Sequence, residues 1–254
     1  NVPTKKIVLT ALGDMLGFPK SLIVNYVVRK VKKMVPAFSL PGAVSFNDAI
    51  SQGRGKSFKP ATVGPDDIAV LQYTGGTTGV SKGAVLLHRH LVANILQSEA
   101  WYQPALKKIP AGQQIVTICA LPIYHIFGFN ANMMLGMRMG GCNILIANPM
   151  AHHPEFSSVD WSGLVISVGG GMAVTSATAK LWLEKTGCPI VEGYGLSETS
   201  PSASCNPVDS ASYSGNIGLP MPNTDMKLLD DDGNEVPQGT PGEIAIKGPQ
   251  VMAG

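Results

Sequence analysis

The chain has 254 residues, of which 44% are hydrophobic and 14% charged. That is the balance of a globular protein with a sizeable core, in one large or two small domains, and it excludes a disordered chain. The formal net charge of +2 gives no bulk electrostatic pull toward nucleic acid, and no uninterrupted apolar run reaches the ~20 residues that span a bilayer.

The 29 Gly and 19 Pro are dispersed without a low-complexity period, so many tight turns are expected. The cysteines, Cys119, Cys142, Cys188 and Cys205, form no CxxC pair, and no secretory signal precedes them. Reduced thiols in a cytoplasmic protein are expected.

In chain order, Lys20 to Met34 reads as a basic amphipathic helix. Leu22, Ile23, Tyr26, Val27, Val31 and Met34 fall at helical spacing, among Lys20, Arg29, Lys30, Lys32 and Lys33. Such a helix can lie on an anionic membrane surface or pack on its own domain by the apolar stripe; packing is the favoured expectation. Pro36, Pro41 and Gly42 end it, and Ser51 to Lys59 reads as a loop.

From Asp66 short β-rich runs alternate with helical ones. Strands are expected at Ile68–Tyr73, Gly83–Leu87, Ile115–Leu121, Asn143–Ala147, Leu164–Val168 and Pro189–Glu192. Helices are expected at His90–Trp101, Phe127–Met139 and Ser176–Lys185. The alternation predicts an α/β fold of mainly parallel sheets with flanking helices. Met226–Asp230, the turn at Asp231–Asn234 and Gly242–Lys247 then predict a small antiparallel unit at the end. The expected organisation is a linker and basic-helix region over 1–65, an α/β core over 66–220, and the start of a β-barrel-like subdomain over 221–254.

The stretch from Tyr73 to Gly83, YTGGTTGVSKG, is the most informative. Glycines let several N–H groups converge on an anion, and the hydroxyls of Thr74, Thr77, Thr78 and Ser81 add donors. Lys82 adds a point charge suited to phosphate. It is not a Walker A loop, because Gly83 and a strand follow Lys82 where a Ser or Thr and a helix are required. Nor is it GxGxxG, so a dinucleotide site is unsupported. Gly75, Gly76, Gly79 and Gly83 complete the expected phosphate cradle.

The stretch is similar, nearly residue for residue, to the phosphate-binding signature of the adenylate-forming superfamily, which contains acyl-CoA synthetases, peptide-synthetase adenylation domains and luciferases. Gly193-Tyr-Gly-Leu-Ser-Glu-Thr199 resembles that family's second nucleotide motif, and Pro122-Ile-Tyr-His125 its acyl-site motif. Gly169-Gly-Gly171 and Gly242-Glu-Ile-Ala-Ile-Lys-Gly248 match further motifs in order. The linker Lys32–Pro36, Leu40–Ala43, Phe46–Ala49 and the run Glu192–Pro201 resemble the bacterial long-chain fatty-acid–CoA ligases in particular.

The resemblance implies activation of a long-chain fatty acid by ATP to acyl-adenylate and pyrophosphate, then transfer to CoA. It places Glu198, a hard oxygen ligand suited to Mg²⁺, on the metal with Thr77 nearby. It places Tyr194 against adenine, with Gly193, Gly195 and Ser197 around the nucleotide and Ser197 at the α-phosphate. It places His125 beside the acyl carboxylate as a positioning group, Phe129 on the acyl tunnel, and Gly170 and Gly171 on its wall. His88 and His90 match no catalytic position and are expected to be structural.

The resemblance also implies a mobile C-terminal lid that supplies an essential lysine. No match for that lid is found, so low turnover is expected of this stretch alone. A homodimer and a peripheral contact with the inner membrane are both compatible with the sequence. Competing readings are a medium-chain or aryl acid ligase, a nucleotide-binding module without catalysis, a P-loop kinase, and a membrane-binding domain reading only the basic helix.

The link from Pro149 to Gly163 is too short for the crossover helix that successive parallel strands require, so residues are expected to be missing there. An intact mass of 26.6 kDa for the protein would exclude such a break.

Overall fold

The computed structural model describes residues 6–74, 82–146 and 153–254. They fall into two compact units, Asn1–Thr62 and Val63–Gly254.

In the first unit, β1 (Val8–Leu9) pairs in parallel with β2 (Val44–Ser45). The basic helix α1 (Lys20–Tyr26) runs on as a π-helical turn over Val27–Val31, so the predicted helix is present and stops three residues short of Met34. Its apolar stripe is not packed as expected: Leu22, Ile23, Tyr26, Val31 and Met34 are all exposed. Helix α2 (Phe46–Gly53) likewise buries none of its residues. Helix α2 is held by its cap, where Ser45 Oγ accepts from the Asp48 N–H at 3.1 Å.

In the second unit, β3 (Ile68–Thr74) and β4 (Lys82–Leu87) form an antiparallel hairpin across the Gly/Thr stretch. Helix α3 (His88–Leu106) follows directly and is longer than the His90–Trp101 predicted. Its start is fixed by buried His90, whose Nδ1 accepts the Leu87 N–H at 3.1 Å. That bond gives His90 the structural role expected of it. Parallel strands β5 (Val116–Cys119) and β6 (Cys142–Leu145) flank a π-helical segment, Phe127–Met134, and the short α4 (Leu135–Arg138).

A short 3₁₀ turn, Pro154–Ser158, precedes β7 (Ser167–Gly169), helix α5 (Ser176–Thr186) and β8 (Ile190–Gly195). Thr175 caps α5 by accepting the Thr178 N–H at 3.2 Å, and Gly187 ends it in the left-handed conformation. Phe156, Trp161 and Trp182 stack beside α5 with ring centroids 4.7 to 6.0 Å apart.

Strand β8 is parallel to β7 and antiparallel to β9 (Ser202–Cys205), which pairs with β10 (Leu219–Pro220). The predicted hairpin is present as β11 (Asp225–Leu229) against β12 (Glu243–Lys247). The α/β architecture therefore holds, in small sheets of mixed direction. The predictions made no provision for β9, since Ser202-Ala-Ser-Cys205 carries no β-branched or aromatic residue. The strand forms because its neighbours cover it: Ala203, Ser204 and Cys205 are all buried.

Burial first, and the Arg89 charge second, lower the pKa of His90 below its usual 6.5. The unfolded chain therefore takes up this proton at higher pH than the folded one. The His90 contribution to stability is present above pH 6.5 and is lost as pH falls through the lower folded value. Denaturant titrations from pH 7.5 to 5 are expected to show this loss, with a slope of at most about 1.4 kcal/mol per pH unit. In His90→Gln that part of the slope disappears.

Candidate nucleotide and acyl site

The second nucleotide motif occupies the end of β8 and a tight turn beyond it. A Cβ on Gly195 would collide with the Pro201 carbonyl, so only glycine admits this approach. The turn is closed by the Leu196 N–H donating to Pro201 O at 3.1 Å and to Thr199 Oγ1 at 2.9 Å. Ser197, Glu198 and Thr199 make a single 3₁₀ turn on this support. Thr199 is buried beneath it, and Ser197 and Glu198 are half-buried at the surface.

Among the described residues, no side chain or N–H engages the Glu198 carboxylate, whose backbone carbonyl accepts the Met252 N–H at 2.8 Å. No group of three or more His, Cys, Asp or Glu that could cage a metal occurs among the described residues. A cation at Glu198 would take most of its ligands from phosphate and water, the habit of Mg²⁺. The donor set fits that ion.

Beside this turn is a cavity of about 120 Å³, to which the ends of β7 and β8 and the segment before the π-helical turn all contribute. His125, Gly170 and Gly171 line it together with Gly193, Tyr194, Gly195 and Ser197. These predicted residues are thus brought to one place. His125 is exposed at the rim. Its Nδ1 accepts the Phe127 N–H at 3.2 Å, which leaves Nε2 as the nitrogen free to face a ligand. A Cβ on Gly170 would stand 2.9 Å from Gly193 O and 3.1 Å from the Phe127 ring, so a side chain there would narrow the cavity.

Phe129 does not line the cavity. It packs against Leu86, Leu91 and Ile126 in the core, and the aromatic on the cavity wall is Phe127. The π-helical register over Phe127–Met134 turns the two rings differently from the predicted α-helix.

Tyr73, Thr74, Lys82 and Gly83 are outside the cavity lining, at the open end of the β3–β4 hairpin. Tyr73 faces Gly83 across the strands, with its ring about 3.5 Å from where a Cβ would sit. Thr74 Oγ1 donates to Lys82 O at 3.4 Å. Gly75, Gly76, Thr77, Thr78, Gly79 and Ser81 lie outside the described residues.

Sequence reasoning missed the floor of the cavity, made by Tyr102, Ser204, Cys205 and Met221. Burial pushes the Cys205 thiol up to about 11, with a hydrogen bond from Trp101 opposing. Burial also raises the neighbouring Tyr102 hydroxyl, with Cys205 adding to it. Both groups stay neutral, so the floor is uncharged. The one available signal was apolar spacing on α3, which cannot separate a pocket floor from ordinary core.

A family model described as AMP-binding enzyme matches residues 25–156 and 144–254, and the chain belongs to that family. It is 45% identical to a long-chain-fatty-acid--CoA ligase of Escherichia coli O6:H1, over 98% of this chain and 48% of that protein. It is 38% identical to one of Haemophilus influenzae, over 100% of this chain and 50% of that protein. The chain thus spans about half the length of the curated relatives it matches.

Among solved structures it resembles ATP-bound MatB from Rhodopseudomonas palustris, with TM-score 0.65 and 27% identity over 84% of this chain and 46% of that one. A long-chain-fatty-acid-CoA ligase from Archaeoglobus fulgidus, at 21% identity and TM-score 0.67 over 98% of this chain and 54% of that one, shares the fold. The Escherichia coli alignment runs over 276 positions, more than this chain has, so that relative carries residues without a counterpart here. The two matched stretches overlap at 144–156, which runs into the link from Pro149 to Gly163 expected to be short.

With three buried thiols and one exposed, alkylation of the native protein at pH 8 is expected to label Cys142 and to spare Cys119, Cys188 and Cys205. Peptide mass mapping checks this, and labelling of Cys205 in the folded protein would contradict a closed cavity floor.

Proposed function

We propose that this chain is the nucleotide- and acyl-binding part of a long-chain fatty-acid–CoA ligase. The observation that carries the reading is one cavity shared by His125 of the acyl motif, the Gly170–Gly171 pair and Tyr194 of the nucleotide motif. Relatives at 38 to 45% identity that are named long-chain-fatty-acid--CoA ligases support the substrate class.

In this reading an acyl carboxylate oxygen attacks the α-phosphorus of ATP, the bond to the pyrophosphate oxygen breaks, and acyl-adenylate forms. The CoA thiol, losing its proton, then attacks the acyl carbon, and AMP leaves. Little of this needs covalent help from the protein, so positioning and charge neutralisation carry the rate.

Lys82 and the backbone N–H groups of Gly75–Thr78 receive the phosphates, Ser197 donates to the α-phosphate, and Tyr194 packs on adenine. The Nε2 of His125 orients the acyl carboxylate. Gly170 and Gly171 leave room for the chain beside Phe127. Glu198, with Thr77, would hold Mg²⁺, which when bound would supply positive charge to the phosphates. The region 1–65 serves as linker, 66–220 as the binding core and 221–254 as the start of a further subdomain. The exposed basic helix α1 offers a peripheral contact for an anionic membrane surface.

The test is ATP–pyrophosphate exchange by the full-length protein that contains this sequence, with acids from acetate to palmitate. Exchange is expected to rise with chain length, and Glu198→Gln is expected to lower it by about a hundredfold. Absence of exchange with every acid, in a protein that binds ATP, would leave a nucleotide-binding module without catalysis.

A further inference from the structure

The last residues of the chain carry no group suited to the reaction, yet they are held between the two nucleotide motifs. Gln250 is 0% exposed. Its Nε2 donates to Thr224 Oγ1 at 2.8 Å and to Ser202 O at 3.3 Å, and its Oε1 accepts from Gln97 Nε2 at 3.1 Å. Its backbone carbonyl accepts from the buried Ser200 Oγ at 2.9 Å. A Cβ on Gly248 would collide with this amide, so the sequence leaves space for it.

Two residues on, the Met252 N–H holds the carbonyl of Glu198 at 2.8 Å. The next residues join β4, with Ala253 N–H donating to Val85 O at 3.0 Å and Val85 N–H donating to Gly254 O at 2.9 Å. The same five-residue stretch therefore grips the Glu198 turn and the strand that begins with Lys82.

The far side of the turn is equally fixed. Ser200 is fully buried at φ 65°, a left-handed conformation that a non-glycine residue adopts only when its surroundings impose it. Its carbonyl accepts from Asn130 Nδ2 at 2.6 Å. Asn94 pairs with both backbone groups of Ser202, its Nδ2 donating to the carbonyl at 2.9 Å and its Oδ1 accepting the N–H at 3.3 Å. The amides of Asn94 and Gln250, each bonded at both oxygen and nitrogen, resist displacement, because a shift would strand those groups away from water.

From these contacts we infer that Gln250 is a positioning residue, which sets the distance between the Glu198 carboxylate and the Lys82 strand and so tunes how tightly a nucleotide-bound divalent cation is held. The inference rests on the reading of Glu198 as the cation ligand. Gln250 itself touches neither nucleotide nor metal.

The experiment is calorimetric titration of ATP into the full-length protein, with and without Mg²⁺, for the wild type and three variants. Gln250→Leu keeps the volume and removes the amide. With its three side-chain hydrogen bonds removed, the Mg²⁺ concentration at half-saturation is expected to rise about tenfold, while Mg²⁺-free ATP affinity stays within about twofold. Ser200→Ala removes one hydroxyl and is expected to move the same quantity by about threefold, in the same direction. It carries the test if Gln250→Leu does not fold.

Thr186→Val removes a buried hydroxyl that bonds Trp182 O at 2.8 Å at the far end of α5. It is expected to lower the melting temperature and to leave the Mg²⁺ dependence unchanged. If Gln250→Leu and Ser200→Ala behave like Thr186→Val, Gln250 is merely structural and the inference is overturned. If wild-type ATP binding shows no Mg²⁺ dependence, the role of Glu198 falls and the inference with it.

Discussion

The backbone of Gly195 lies against the carbonyl of Pro201, and this contact determines the shape of the site. It folds the chain back within six residues, so that β8 and β9 can pair antiparallel while the turn between them projects Ser197 and Glu198. The turn has few contacts of its own with solvent-free surroundings, and its stability comes from the Thr199 hydroxyl inside it and the buried amides behind it. Because β8 also pairs in parallel with β7, the same strand brings the Gly170–Gly171 corner to the Tyr194 side of the cavity. One close approach therefore fixes the Tyr194 side of the cavity and the Gly170–Gly171 corner together.

Charge is arranged with comparable economy. The cavity floor is neutral, since burial holds the Cys205 thiol and the Tyr102 hydroxyl in their protonated forms. The ionised groups lie at the edges, Glu198 half-buried on its turn and Lys82 exposed at the mouth of the β3–β4 hairpin. The interior is apolar and neutral, while groups at the edge keep their contact with water and cost little to desolvate.

Not all apolar surface has found a partner. The stripe of α1 is exposed, and so are Val116 on β5 and Ile144 and Leu145 on β6. The α1 stripe and its basic face illustrate why periodicity establishes a helix but not its neighbours. A 3.6-residue repeat reports only that one side is apolar.

The sequence by itself determined the local elements around the site, because those depend on near neighbours. Two apolar runs on either side of a glycine- and hydroxyl-rich stretch specify a pair of strands, and β3 and β4 form there. The spacing of Gly193, Tyr194, Gly195 and Glu198 likewise specifies a strand that ends in a turn bearing a carboxylate. Only the tertiary structure decided that Phe127 and not Phe129 faces the cavity, which depends on a π-helical register that apolar residues alone do not specify. Only the tertiary structure made a strand of Ser202–Cys205 and assembled Gln97, Asn130, Ser200 and Gln250 into one buried network. Those partners lie as many as 153 positions apart, and an amide in a sequence carries no mark of whether water or another amide will satisfy it.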